Sequence, residues 1–348
     1  MSLTNIFFAG RRKVLGVALA TAALALAGCG QQGGGAAPAA GGAAQDKLVI
    51  KVGHAATEDN TGHKGLVRLS ELLQERTNGR ISLQIFGNSQ LGNERELIEA
   101  IQLGSVGMAF VSSAPVGSFK KEFFALDLPF VFTDRAKLYS ILDGDIGKSI
   151  LGSLDSINIK GLGFWENGFR QLSNNKIEVH KPEDIKGLKI RTIENEVHLA
   201  IWKALGANPA PLAFGELFTA LQQGTFEAQE TPINLFYDMK YYEVQKFIST
   251  TRHLYGAYVV LLNKDIFDKL SDEDKAILAT SFADAQKYQR DLAATADDKA
   301  IEAMPMVKIT NLSDDEIAVF RSHMDPVYAL IKERAGEEIV NKILEAAK

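Results

Sequence analysis

The sequence predicts an α/β protein organised as two units, and three observations carry that expectation. Short β-rich runs alternate with stretches whose apolar residues recur at helical spacing, which implies parallel strands covered by helices. A chain of 348 residues corresponds to about two domains at roughly 150 residues each. Late in the chain, Tyr255-Gly256 separates two β-rich runs and offers a route from the second unit back to the first.

The elements follow in order. Leu48 to Gly53 (LVIKVG) is β-rich, and Leu66, Leu69, Leu72 and Leu73 then lie at helical spacing before the helix stop Asn78-Gly79. Ile81 to Ile85 alternates like a strand. Asn93 and Glu96 have capping-box spacing ahead of Leu97, Ile98 and Ile101, and Val106 to Val111 reads as a third strand. The second unit begins near Gly161-Leu162-Gly163-Phe164-Trp165. It continues through Leu188 to Arg191, helical Val197 to Leu205, helical Phe214 to Gln223, and Phe226 to Gln229. Lys246 to Thr251 and Tyr258 to Asn263 are the two late β-rich runs. Ser271-Asp272-Glu273-Asp274 starts a helix, and the Ala, Lys, Asp and Leu that follow predict one long helix to about Met304. Short helices after Ser313 and Glu337 end the chain.

The first 46 residues have a different character. Residues 1–28 carry three charges, Arg11, Arg12 and Lys13, then the apolar Val14 to Ala27 and the run Leu26-Ala27-Gly28-Cys29. That is the pattern of an export signal, with an apolar stretch shorter than the ~20 residues a membrane span needs. The run ending in Cys29 looks like a bacterial lipobox, which implies cleavage before Cys29 and lipidation of it. The export route, general or twin-arginine, stays open. Residues 29–46, rich in Gly, Ala and Gln, cannot bury apolar surface and read as a flexible tether. Cys29 is the chain's one cysteine, so no internal disulfide is available, and removing residues 1–28 shifts the net charge from −5 to −8. That acidity, 43 acidic against 38 basic residues, supplies no footprint for nucleic acid.

Motifs for catalysis are missing. Gly147-Lys148-Ser149 lacks the glycine a phosphate loop needs, since Leu142 stands there, and Gly161-Leu162-Gly163 is followed by Glu166 where a dinucleotide fingerprint requires glycine. Histidines 54, 63, 180, 198, 253 and 323 form no H-x-x-x-H pair, so neither a metal nor a cofactor is expected. Export, a tether and two α/β units suit capture of a soluble ligand better than an enzyme or a scaffold.

Two constellations carry that idea. Phe164-Trp165-Glu166-Asn167-Gly168-Phe169-Arg170 places aromatic, anionic, amide and cationic groups at a strand end, where α/β proteins bind ligands. The competing reading is a core Trp and Phe beside a surface salt bridge. Arg191 also ends a strand run, and its planar fork can hold a carboxylate through two hydrogen bonds, or it can simply be a solvated strand-end arginine.

A family resemblance then adds to these readings. Gly187-Leu188-Lys189-Ile190-Arg191, Leu205-Gly206-Ala207-Asn208-Pro209, Ala213 to Gly224, Gln229-Glu230-Thr231-Pro232 and Tyr242 to Lys246 resemble the solute-binding subunits of tripartite ATP-independent periplasmic (TRAP) transporters, the DctP family. Ser89 to Gly92 and Asp127 to Phe130 match as well, so the resemblance runs from about residue 48 to 340. It implies a two-lobed periplasmic-binding-protein fold with a ligand cleft between the lobes and a long helix spanning both. It also implies closure on a small organic acid and delivery to a permease of two integral subunits driven by an ion gradient; a monomer is expected, held in the periplasm or at the outer face of the cytoplasmic membrane through the lipid on Cys29. The lobes are expected at 47–167 plus about 255–295, and at 168–254 plus about 296–348. An ABC-type binding lipoprotein and a secreted enzyme acting on an organic acid are the alternatives.

The resemblance also nominates site residues. Arg191 matches the arginine that pairs with the ligand carboxylate, and Arg170 a second arginine that contacts the acid. Glu94, Phe110, Ser112, Phe214 and Thr231 align with pocket positions. Ser112 and Thr231 depart from sialate-binding members, which carry glutamate and asparagine there. Trp165 is expected to narrow the cavity, Glu166 to accept ligand hydroxyls, and Asn234 to offer an amide or serve the helix start. A C4-dicarboxylate, a sugar acid such as a uronate, or a small sulfonate is the expected ligand.

Overall fold

A computed structural model describes residues 47–348, so Cys29, the export signal and the tether lie outside the described residues. Within them, nine strands form one sheet: β1 Leu48–Gly53, β2 Ile81–Phe86, β3 Met108–Ser112, β4 Ile159–Asn174, β5 Lys189–Thr192, β6 Asn208–Pro211, β7 Ala228–Thr231, β8 Phe247–Asn263 and β9 Lys308–Thr310. The order is β2-β1-β3-β8-β4-β7-β5-β6, with β9 on β8. Pairing is parallel for β1 with β2 and β3, and for β5 with β6 and β7, as strand-helix alternation predicts.

The two long strands break that expectation. β4 and β8 pair antiparallel with each other, β8 is antiparallel to β3, and β4 to β7, so the sheet is mixed. The late β-rich runs are one strand rather than two. The polar stretch between them stays extended because β4 accompanies it through register shifts at Gly161/Gly163, Glu166/Gly168 and Arg170/Leu172. Such bulges bend and twist a strand. The C-terminal half of β8 carries β3, and the C-terminal half of β4 carries β7, so these two strands belong to both halves of the sheet. Gly168 pairs with Gly256 at the changeover; Gly168 has φ +127°, where a side chain would be strained.

Local rules explain the flanking helices. Asn60 caps Thr61–Arg76 by accepting from the Gly62 N–H at 2.8 Å, and Leu66, Leu69 and Leu73 are fully buried against the sheet, each contributing roughly 2 kcal/mol. Before Glu94–Gln102, Glu96 Oε2 accepts from the Asn93 N–H at 2.7 Å. The long helix is shorter than expected. It runs Asp272–Ala293, breaks at Ala294-Thr295, and restarts as Ala296–Ala303. Thr295 followed by Asp297 and Asp298 is itself a helix-start pattern, with acids in the new first turn. The first segment packs on Thr61–Arg76 and β4, and the second on helix Ile233–Asp238.

Candidate functional site

Strand ends from both halves of the sheet meet at one cavity. Ala55 and Ala56 follow β1, Ser112 ends β3, Arg191 is the penultimate residue of β5 with Ile193 just beyond, and Thr231 ends β7; all line the cavity. Arg170, Glu94, Phe110, Phe214, Leu235 and Tyr258 complete its wall. About 350 Å³ of non-atom space lies among these residues when the open mouth is included.

Arg191 is 2% exposed. Its Nε and Nη2 donate to the Leu212 carbonyl at 2.9 and 2.6 Å, and no carboxylate pairs with it among the described residues. Burial pushes its pKa down. A guanidinium held by one neutral carbonyl keeps donors free for a bidentate anion.

Arg170 is differently placed. It is locked to Glu230, through Nε to Oε2 and through Nη2 to Oε1 at 3.0 Å, while Nη2 also reaches the Glu230 carbonyl at 2.6 Å. Behind them, His198 Nδ1 and His253 Nε2 lie 3.3 and 3.2 Å from the Glu230 carboxylate, and His198 Nε2 lies 3.4 Å from Asp127. Burial alone would raise the Glu230 carboxyl, but Arg170 and the histidines outweigh it and hold it well below the usual range. Burial likewise opposes the charge on His198, and hydrogen bonds to Asp127 and Glu230 overcome it and raise its pKa.

Glu94, the first residue of its helix, turns back to β3. Its Oε1 accepts from the Ser112 N–H at 2.6 Å. Burial raises its pKa against the lowering effect of that N–H and of Arg191 and Arg170.

Seven of the nominated residues therefore converge: Arg191, Arg170, Glu94, Phe110, Ser112, Phe214 and Thr231. Three do not. Trp165 is fully buried in the core: it pairs with Tyr258 and shares the sheet face of Tyr258 and Phe110, but the long helix covers it there, with Phe282 stacked on it at a ring-centroid distance of 5.8 Å. Glu166 is 1% exposed and accepts from Arg135 Nε at 2.7 Å and from the Tyr139 hydroxyl, so it ties β4 to helix Arg135–Asp143. Asn234 sits in the first turn of helix Ile233–Asp238, donates to the Asn167 carbonyl at 3.4 Å, and borders a separate hollow with Thr61 and Ala296. Tyr258 was not foreseen, since it opens an apolar run whose pattern marks only a buried strand. Ala55 and Ala56 gave only the weak signal of small residues after a strand.

Comparison with known proteins places this geometry in context. Residues 52–334 match the family model for DctP, the bacterial extracellular solute-binding proteins of family 7. The 2,3-diketo-L-gulonate-binding periplasmic protein YiaO of Escherichia coli (strain K12) is 37% identical, over 76% of this chain and 81% of its own. The C4-dicarboxylate-binding periplasmic protein DctP of Rhodobacter capsulatus is 34% identical over 86% and 91%. The crystal structure of the sugar acid binding protein DctPAm of Advenella mimigardefordensis in complex with galactonate superposes with a TM-score of 0.84 at 34% identity, covering 87% of this chain and 98% of that one. With two sheet halves joined by shared long strands, and strand ends converging on a cavity, the chain belongs to the DctP family of bacterial extracellular solute-binding proteins.

Proposed function

We propose that this chain captures a small organic acid, holds its carboxylate on Arg191 with Arg170 alongside, and delivers it to the membrane subunits of a TRAP transporter. The observation that carries the reading is Arg191 itself, a buried guanidinium at a cavity wall whose protein partner is a neutral carbonyl. A carboxylate entering there replaces hydration with charge-assisted hydrogen bonds in a medium of low dielectric. Closure follows from differential affinity, because an acid touching both walls binds the closed form more tightly than the open one. The lobes are taken to hinge where β4 and β8 change partners, near Gly168 and Gly256.

The relatives support this chemistry: one is named for a diketo sugar acid, one for C4-dicarboxylates, and one structure holds galactonate. The family is one of binding proteins rather than enzymes. Ion-gradient dependence of uptake separates this reading from an ABC-type system. The Leu26-Ala27-Gly28-Cys29 run supports a lipid anchor at the outer face of the membrane through Cys29, with residues 30–46 as tether.

A thermal-shift screen against aldonates, uronates, C4-dicarboxylates and sulfonates tests the proposal, since a ligand that binds the folded state raises its apparent stability by mass action. A rise with one or more carboxylates is expected. Stabilisation by neutral sugars or cations instead would overturn it.

A further inference from the structure

We propose that Asn60 and Asp238 form a latch across the cleft, made when the lobes close, and that closure seats the Asp238 carboxyl in it together with a proton. The latch rests on the reading of two lobes that shut on an acid, and is what holds them shut on one side of the cavity.

The two faces of the sheet are packed differently. In β3, Ala109 and Val111 point into a core that runs through both halves and includes Ile190 of β5, whereas Met108 and Phe110 point the other way. On that second face there are two separate cores. Phe110, Tyr258 and Leu66 belong to one, and Ile248, Leu217 and Phe236 to the other. The cavity opens between them, so parting the lobes means parting these two cores. Helix Ile233–Asp238 bridges the gap. Ile233 and Phe236, three positions apart, fix it in the second core. Leu235, Asp238 and Met239, at i, i+3 and i+4, lie on another side of the turn. Leu235 is buried in the first core, and Met239 touches both.

Asp238, on that side, meets Asn60. The asparagine is 1% exposed; its Oδ1 accepts from the Gly62 N–H at 2.8 Å and its Nδ2 donates to Asp238 Oδ2 at 3.3 Å. One amide therefore starts a helix of the first half and holds a carboxyl of the second. Tyr258, whose ring lines the cavity, sets its hydroxyl against Asn60, so the latch stands behind one wall of the cavity. Another crossing, from the Gly215 N–H to Asn93 Oδ1 at 3.0 Å, contains no titratable group.

The ionisable groups around Asp238 are Asp59 and Lys64 beside the start of helix Thr61–Arg76, Lys299 of helix Ala296–Ala303, Tyr237 of its own helix and Tyr258 of β8. Burial raises the Asp238 carboxyl to about 6, Asp59 adds to the rise, and the Asn60 amide and Lys64 oppose it. Opening returns the carboxyl to water and to its ordinary value of 3.8. The closed form thus holds the proton more tightly. Its advantage is full below about 3.8 and is lost as pH rises through about 6.

Titration calorimetry with galactonate and erythronate, acids ionised throughout pH 5–8, tests the latch. The intact protein is expected to bind about tenfold more tightly at pH 5 than at pH 8, and to take up close to one proton per acid at pH 5, read from the change in heat between buffers. Asp238→Asn should lose most of that slope and the uptake. His198 and Glu94 remain in this variant, so the difference between the profiles belongs to Asp238. Asn60→Ser, a second variant that keeps a helix cap and withdraws the amide, should weaken binding more at pH 8, where the carboxylate is ionised, than at pH 5. Thermal melts verify folding of both. Equal affinity of the intact protein at pH 5 and pH 8, or an Asp238→Asn variant that retains the full slope, would overturn the latch and leave the Arg191 anchor standing. Failure of every acid to bind would overturn the capture reading and the latch with it.

Discussion

Replacing Glu230 by glutamine isolates the ion pair behind the cavity. Glu230 is fully buried and takes hydrogen bonds from Arg170, with His198 and His253 within 3.3 Å. The substitution keeps the volume but leaves Arg170, 5% exposed at its side chain, without a counter-charge. Removing one partner of a buried pair costs about 3–5 kcal/mol. At roughly 2 °C per kcal/mol for a chain of this size, the melting temperature should fall by roughly 6–10 °C. The pH dependence should change too. Glu230's carboxyl is held below the ordinary value of 4.5, so its contribution is present above that value and is lost as pH falls through the lowered one. Glu230→Gln should therefore flatten the acid side of the stability curve. The assay is thermal unfolding by circular dichroism from pH 3 to 8. A loss under about 1 kcal/mol at pH 7, or an unchanged acid limb, would refute the view that this carboxylate carries the buried network.

Further outcomes follow from the same structure. Burial raises the Asp238 carboxyl to about 6 despite the Asn60 amide 3.3 Å away. The native state thus holds that proton more tightly than the unfolded chain, and the associated stability is full below about 3.8 and lost as pH rises through about 6. Asp238→Asn should then stabilise the protein by roughly 1–2 kcal/mol at pH 8 and by nothing at pH 3.5, measured by denaturant titration; equal effects at both would count against it. Trp165→Ala should cost about 3–5 kcal/mol in stability as a core cavity while leaving acid affinity within about twofold. A large affinity loss with a small stability loss would return Trp165 to the cavity wall. Cys29→Ser should move the protein from the membrane fraction to the soluble fraction of cells, and retention at the membrane would remove the lipid anchor.

Much of the site was legible because strand ends are legible. Arg191 follows an apolar β run, and its neighbours Gly187 and Thr192 mark the strand's limits, so the end of β5 and the site coincide. Trp165 and Glu166 were misplaced for a different reason. Trp165 shares a sheet face with Tyr258 but is covered by Phe282 of the distant long helix, while Glu166, its neighbour in the strand, faces the other way and meets Arg135. Gly161, Gly163 and Gly168 hint at irregularity in the strand, but no residue type says which part of it a distant helix will cover. Glu230 was visible as part of a motif, yet its pairing with Arg170 spans 60 positions and depends on β4 and β7 lying side by side. The break at Ala294-Thr295 was masked by the high helix propensity of its surroundings. Tyr258 shows the remaining limit, since an apolar run reports burial without saying which buried tyrosine meets a ligand.

The most direct test of the account is titration calorimetry of Arg191→Ala and Arg191→Lys with the acid that gives the largest thermal shift. Alanine should lose more than ~3 kcal/mol of binding, because a buried anion is left unpaired, and lysine nearly as much, because the planar fork is gone. Near-native affinity in either variant would contradict it.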